Sequence, residues 1–285
     1  MSGQATLRAP GPAALLRAMT ADPRAALGLG LVGLAAAAAL LAPLIAPYGP
    51  DTPDFVNTLA PPSALHWLGT DELGRDALSR IIYGAQTSLF VGVLSVVVAA
   101  FAGTALGLVA GYFGRVIDAV IMRIMDVVFA FPSILLALAI TAVLGPSLNN
   151  AVLAIAVVNL PVFARIARAQ TLVVRELEFV EAKRALGFGT PNILLRTILP
   201  NILAPVIVQG SLLFASAIIT ESYLSFLGLG VQPPTATWGN MLRNAIGFME
   251  LAPWLAVFPG AAIFLTVLGC NLLGDGLRDR FDPRD

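Results

Sequence analysis

Residues 178–201, EFVEAKRALGFGTPNILLRTILPN, gather Glu178, Glu181, Lys183, Arg184 and Arg196 into one short stretch. Carboxylates, an ammonium and guanidinium groups at this spacing can form ion pairs and charge-assisted hydrogen bonds to another surface. They do not make a catalytic set. His66 is the one histidine and Cys270 the one cysteine, far apart in sequence, so neither a disulfide framework nor a cysteine-cluster metal site is available. No Gly-x-x-x-x-Gly-Lys-Ser/Thr phosphate loop occurs. No Ser/His set and no paired intramembrane aspartates stand out either. The chain reads as a non-enzyme.

The elements that must carry these residues are apolar. The chain has 285 residues, 58% hydrophobic and 12% charged, with a formal net charge of zero. Soluble domains carry about 25% charged residues, so this composition indicates an integral membrane protein and gives no reason to expect a nucleic-acid partner. A membrane helix needs about 20 apolar residues. Uncharged stretches place six spans: Ala26–Ala46, a second from near Ser88 to Gly114, a third and fourth (roughly 118–144 and 151–168) that share the uncharged Val127–Ala164, a fifth that begins with the uncharged Thr197–Thr220 and runs to about 228, and Leu251–Gly274. The turn Gly145-Pro146-Ser147-Leu148-Asn149-Asn150 separates the third from the fourth. The first run exceeds the about 7 to 15 residues of a signal-peptide core and is read as an uncleaved first span. With both termini inside, the cytoplasmic face receives Arg8, Arg17, Arg24, Arg115, Arg123, Arg165, Arg168, Arg175, Lys183, Arg184, Arg196, Arg278, Arg280 and Arg284. The outside receives Arg75, Arg80 and Arg243. That asymmetry sets the expected orientation.

In this topology residues 178–201 lie in the cytoplasmic loop between spans four and five. Each of their charges would cost roughly 2.5 to 3.5 kcal/mol at the bilayer centre, so the segment belongs in water or against protein. Phe179, Ala182 and Leu186 recur at i, i+3 and i+7, one face of a helix. Gly187 suits a helix end, and Thr190-Pro191 reads as an N-cap followed by proline at the first helical position. Two short helices with a sharp bend are expected, the second running into span five at Leu199-Pro200. Periodicity alone leaves both a lipid surface and a protein partner open for the apolar face.

Glu181-Ala182, Gly187 and Leu199-Pro200 resemble the Glu-Ala-Ala loop of ABC importer permeases, in which a glycine follows the glutamate by six residues and Leu-Pro follows the glycine by twelve. Lys183 stands where that pattern has its second alanine, and Thr197 where it has isoleucine. Further blocks agree: His66-Trp67-Leu68-Gly69-Thr70-Asp71, Leu73-Gly74-Arg75-Asp76, Leu78-Ser79-Arg80, Phe131-Pro132, Gly145-Pro146-Ser147, Leu224–Gly230, Gln232-Pro233-Pro234, Asn271–Asp279 and Asp282-Pro283. Over roughly residues 26–284 the chain resembles the second permease of dipeptide, oligopeptide or nickel importers, the Dpp/Opp C-subunit type. Gln86-Thr87 departs from the Arg-x-Ser usual there.

The resemblance implies an all-α, polytopic fold of six transmembrane helices, the type I ABC importer (MetI-like) permease bundle. It divides the chain into a cytoplasmic tail (1–25), a first span and outer loop with an amphipathic helix (26–87) and a permease domain (88–285) with a coupling loop at 169–196. It implies ATPase coupling through Phe179, Glu181, Ala182, Leu186, Gly187, Leu199 and Pro200. The implied partners are a homologous second permease, two ATP-binding cassette subunits that hold ATP and Mg, an extracytoplasmic solute-binding protein and the lipid of the bacterial inner membrane. This chain itself is expected to bind no cofactor and no metal. Peptide is preferred over nickel as cargo, because nickel suits imidazole or soft ligands and the spans offer only Cys270; a nickel chelate, another small solute and a secondary transporter are the alternatives.

Several residues carry expectations of their own. Glu221, with Phe131 and Pro132, is a candidate for the pathway or gate, because intramembrane carboxylates usually face a bundle interior or a cavity; the alternative for Glu221 is a hydrogen-bonded structural role. Gly103, Gly107 and Gly111 recur every fourth residue and should pack helices closely within one bundle. Arg123 and Asp126, at i and i+3, are expected to pair or snorkel. Pro132 and Pro161 should loosen spans three and four. Thr70 is expected to cap an outer helix with Asp71 and Glu72 in its first turn, its apolar side (Leu73, Ala77, Leu78, Ile81, Ile82) preferably lying on the membrane face, with a surface that meets a substrate-delivery protein as the alternative, and His66 is expected to be structural.

Overall fold

The computed structural model describes residue 20 and residues 22–281, with side chains up to 279. Arg8, Arg17, Arg284 and Asp282-Pro283, together with most of the expected 1–25 tail, lie outside the described residues, as does the Arg280 side chain. The regular structure of the described residues is helical, with one isolated β-bridge between Thr70 and Asp76 inside the long irregular segment 46–76. We label the longer helices α1 (Pro23–Leu40), α2 (Ala77–Phe113), α3 (Arg115–Phe129), α4 (Ser133–Leu144), α5 (Leu148–Val174), α6 (Glu178–Ala185), α7 (Leu199–Phe226), α8 (Trp238–Ala245) and α9 (Trp254–Phe281). Five stretches are long and apolar enough to cross a membrane, and six if α3 and α4 together make one span.

Side-chain caps set four of the nine labelled helix starts. Asp22 accepts from the Arg24 amide with Pro23 in the first turn, Ser147 accepts from the Asn150 amide, and Thr237 and Asn240 form a reciprocal capping box. The helix after the outer loop is not started by Thr70. Asp76 is its cap, accepting from the Ser79 amide at 2.8 Å, and α2 then runs for 37 residues. At 1.5 Å per residue that is about 55 Å, well beyond the about 30 Å hydrocarbon layer. The helix that carries the second span therefore begins eleven residues before Ser88, where the span itself is expected to start. Arg80 does not end it, because this arginine is buried and paired.

The interior is built on α2 against α5. A Cβ on Gly103, Gly107 or Gly111 would lie 2.7, 2.2 or 2.7 Å from atoms of α5, so the glycine repeat packs two helices of the same chain. Val91, Val96 and Ala99 of α2, Ala137 of α4, Ile155 and Phe163 of α5 and Val206, Ala217 and Leu224 of α7 continue this core. Helix α1 docks on α9 through Gly28 and Gly269, each facing the partner helix's backbone or Cβ atoms closely.

The third span is broken. Helices α3 and α4 meet at 91° across Ala130-Phe131-Pro132. Proline at the start of α4 needs no amide donor there; within one continuous span it would have removed a hydrogen bond. Pro161, by contrast, stays inside continuous α5. Arg123 and Asp126 do not pair. The Asp126 carboxylate accepts instead from Arg165 of α5 at 2.8 Å, and Asp118, two turns earlier, accepts two hydrogen bonds from Arg168. Both pairs run between helices, so they tie α3 to α5 rather than closing on α3 itself.

Candidate functional site: the loop between spans four and five

Helix α5 ends at Val174, and the chain turns into α6 at one end of the bundle. Arg175 closes this corner: its Nη1 donates to the Gly111 carbonyl at 2.7 Å, covering the carbonyl end of α2. Helix α6 carries acidic Glu178 and Glu181 in its first turn and basic Lys183 and Arg184 in its last, the arrangement that suits the helix dipole. It ends at Gly187, whose φ of +78° reverses the chain. No atom lies within 4 Å of a Cβ built there, so the glycine is required by conformation and not by space.

After this turn, residues 190–193 form a short helix whose first residue is Thr190 itself. Gly189 occupies the cap position, so Thr190 does not make the side-chain cap expected of it. Residues Leu194–Ile198 are a π-turn, in which the Leu199 amide donates to the Leu194 carbonyl five residues back. Pro200 follows and has no amide hydrogen, so the widened turn falls beside a bond that proline would in any case remove. The chain then continues as α7, and the whole stretch Thr190–Phe226 forms one membrane-length element. Leu199 is half-buried and Pro200 exposed at its start.

One side of α6 is anchored. Val180 is fully buried in a cluster with Leu108 of α2, Val174 of α5 and Ile193, Ile198 and Ile202. The Arg184 guanidinium lies over the Tyr112 ring at 5.2 Å, and Lys183 Nζ donates to Thr197 Oγ1 at 2.8 Å. The opposite side is open. Phe179 is 44% exposed and Leu186 75%, with Ala182 between them and Phe188 (45%) beside them. Glu178, Glu181 and Arg196 are exposed and have no partner among the described residues. The structure therefore brings Phe179, Ala182, Leu186 and Glu181 onto one open surface, held by Gly187 and by the stem at Leu199-Pro200. Sequence reading missed Val180, an isolated valine with no periodic partner inside α6, and missed the bond between Lys183 and Thr197.

The remaining candidates lie elsewhere. Phe131 and Pro132 sit exposed at the 91° break. Glu221 is fully buried in α7; its Oε1 accepts from Ser225 Oγ at 2.7 Å. Hydroxyls of Ser88, Thr237 and Ser222 also lie near it, although Oε2 has no hydrogen bond of ordinary geometry. This cage joins α2, α7 and the start of α8.

At the opposite end of the bundle, residues 47–80 fold into a polar knot. Asp76 bonds His66 Nδ1 at 2.9 Å as well as Ser79, so His66 takes the structural place expected of it. Asp71 accepts from the Leu73 and Arg75 amides and from Arg75 Nε, and lies 3.4 Å from Arg80 Nε. Arg80 donates to the Pro50 carbonyl and to Asp51, while Glu72 ties the knot to Asn244 of α8. Gly74 has φ +72° and lies against the Asp54 backbone, where no Cβ fits.

Comparison with known proteins places this architecture. Residues 103–284 match the family described as the binding-protein-dependent transport system inner membrane component, and residues 15–62 match the N-terminal membrane domain of oligopeptide transport permease C. The chain is 52% identical over 248 residues, 86% of its length and 81% of the relative's, to a dipeptide transport system permease protein (DppC) of Alkalihalophilus pseudofirmus. It is 49% identical over 252 residues, 86% of its length and 83% of the relative's, to a di/tripeptide transport system permease protein (DppC) of Pseudomonas aeruginosa. A glutathione transport system permease protein (GsiD) of Pectobacterium atrosepticum is 51% identical over 223 residues, 78% of this chain and 74% of that one.

Proposed function

This chain belongs to the family of binding-protein-dependent transport system inner membrane components, of the Dpp/Opp C type, and from that premise we propose that it forms half of the pathway of an ATP-driven importer of small peptides. Its relatives are transport permease subunits and not enzymes, and so is this chain. The observation that carries the proposal is the open face of α6: Phe179, Ala182 and Leu186 stand exposed on a helix whose other side is fixed to the bundle. A helix anchored on one side and apolar on the other is suited to receive a protein, here the ATPase subunit, with Glu181 meeting it at the rim. The energy of nucleotide binding, with Mg, is supplied by two such ATPase subunits.

The other assignments follow the same reading. The end carrying residues 175–199 faces the cytoplasm with both termini, since it gathers the arginines, and the polar knot faces the substrate-binding protein outside. A second, homologous permease covers the exposed apolar side of α3, where Val116, Val120, Ile124 and Val127 are exposed, and Phe131-Pro132 lies near the pathway. Glu221 serves as a strut between α2, α7 and α8. Peptide cargo is supported by the names of these three relatives, which are peptide or glutathione permeases.

Reconstitution tests the function. Uptake of a di- or tripeptide into proteoliposomes is expected only when this chain is combined with a second permease, ATPase subunits and a binding protein. ATP turnover by the purified chain alone contradicts the proposal. Orientation is tested separately with Ser63→Cys and Ala185→Cys, both at exposed positions: an impermeant thiol reagent should reach them from opposite sides of the membrane, and labelling from one side overturns the topology.

A further inference from the structure

Three contacts fix α6 to the rest of the protein, and they differ in what they reach. Val180 enters an apolar cluster shared by several elements, and Arg184 stacks on Tyr112 at the end of α2. Lys183 alone bonds the rod that runs from Thr190 to Phe226, donating from Nζ to Thr197 Oγ1 at 2.8 Å. Thr197 is 4% exposed and lies inside the π-turn, where the rod is widened and its regular bonding shifted by one residue. Its carbonyl is engaged as well, accepting from the Asn201 side chain at 2.6 Å. Lys183 also passes the Phe188 ring at 5.8 Å, so its ammonium bridges the reversal at Gly187 from one arm to the other. The two positions at which this loop departs from the pattern it resembles are the two that meet.

We propose that Lys183 and Thr197 are positioning residues that set how much solute moves per ATP, by bracing α6 against the π-turn at the root of α7. This rests on the reading of α6 as the ATPase-docking helix. Without the brace, motion of α6 reaches α7 only through the reversal at 186–189 and the apolar contacts of Val180, so part of the displacement is lost in bending. Docking itself uses Phe179, Ala182 and Leu186, which the brace does not contain. A purely structural role would lower yield or affinity and leave the ratio of uptake to ATP hydrolysis alone.

The test measures that ratio in proteoliposomes holding the complete transporter. Lys183→Met keeps the aliphatic stem and removes the donor, Thr197→Val removes the acceptor, and Thr197→Ser restores it. Each of the first two is expected to lower uptake per ATP by about three- to tenfold, the range of one ordinary net hydrogen bond. Thr197→Ser should stay near the unmodified value. The double variant Lys183→Met/Thr197→Val should be no worse than the worse single one, because both remove the same bond. An unchanged ratio in Lys183→Met, multiplied effects in the double variant, or a Thr197→Ser as poor as Thr197→Val each overturns the brace. Lys183→Met decides alone if Thr197→Val does not reach the membrane. Leu186→Cys separates the two levels of the account: a thiol shielded by the ATPase with an unchanged ratio rejects the brace only, whereas a thiol left reactive in the assembled complex rejects the docking reading and the brace with it.

Discussion

The chain has two polar segments set in an apolar sequence, and they are finished to different degrees. In the knot at residues 47–80, Asp71, Arg75, Asp76 and Arg80 are all at least nine-tenths buried and each finds partners within the same chain. In the loop at 175–200, Glu178, Glu181 and Arg196 are exposed and unpaired, and phenylalanine and leucine side chains stand beside them. The knot spends its charges on holding itself together, so its residues should matter to folding. The loop leaves its charges and one apolar face open, so its residues should matter to assembly. Composition alone does not separate the two; the difference lies in whether the partner groups belong to this chain.

The largest effect on stability is expected in the knot. Asp71→Ala leaves Arg75 and Arg80 buried beside an empty site, and losing one member of a buried ion network costs about 3 to 5 kcal/mol. Folded protein recovered from membranes, and its thermal midpoint in detergent, should fall sharply. A normal midpoint means that the knot is not what holds the outer end. Next comes the helix contact that joins the two ends. Gly107→Val would place Cβ 2.2 Å from the Ala164 carbonyl, so α2 and α5 must move apart, at a cost of about 1 to 3 kcal/mol; the same readout applies, and tolerance of valine would show that the two helices are not packed this closely. Glu221→Gln should be smaller, within about 1 kcal/mol, because glutamine can still accept from Ser225. Uptake should persist, and a collapse of uptake in well-assembled complexes would return Glu221 to the pathway. Asp126→Asn should be smallest on the same thermal scale, since both residues of its pair with Arg165 are about half exposed and such pairs contribute about 0 to 1 kcal/mol.

Much of this architecture was legible in the sequence. Uncharged runs marked the spans, and the i, i+3, i+7 pattern of Phe179, Ala182 and Leu186 with Gly187 marked α6, its open face and its end. What was not legible depended on distant partners. Thr70 and Asp76 are both acceptable N-caps by type, and only the bridge between them shows why the helix waits for Asp76. Arg123 looks like the natural partner of Asp126 along the chain, yet Arg165 approaches from another helix. Arg80 counted in sequence only as an outside charge, because a charge in sequence carries no sign of its burial or its partners. A proline such as Pro132 or Pro161 allows either a break or continuity, and the surrounding packing decides: the first sits at a 91° break, the second inside continuous helix. Lys183 and Thr197 are fourteen residues apart across a reversal, a spacing that no helical or strand period connects.

The contrast between a closed knot and an open loop is tested most directly by thiol accessibility at the open face. Cys270 is 2% exposed, so Leu186→Cys supplies the one accessible thiol among the described residues. In the chain without ATPase subunits this position should react readily with a water-soluble maleimide. In the assembled transporter the reaction should slow by at least about tenfold, with folding and membrane insertion unchanged in both. Equal labelling with and without the ATPase subunits would contradict the account, because α6 would then be open in the working complex as well.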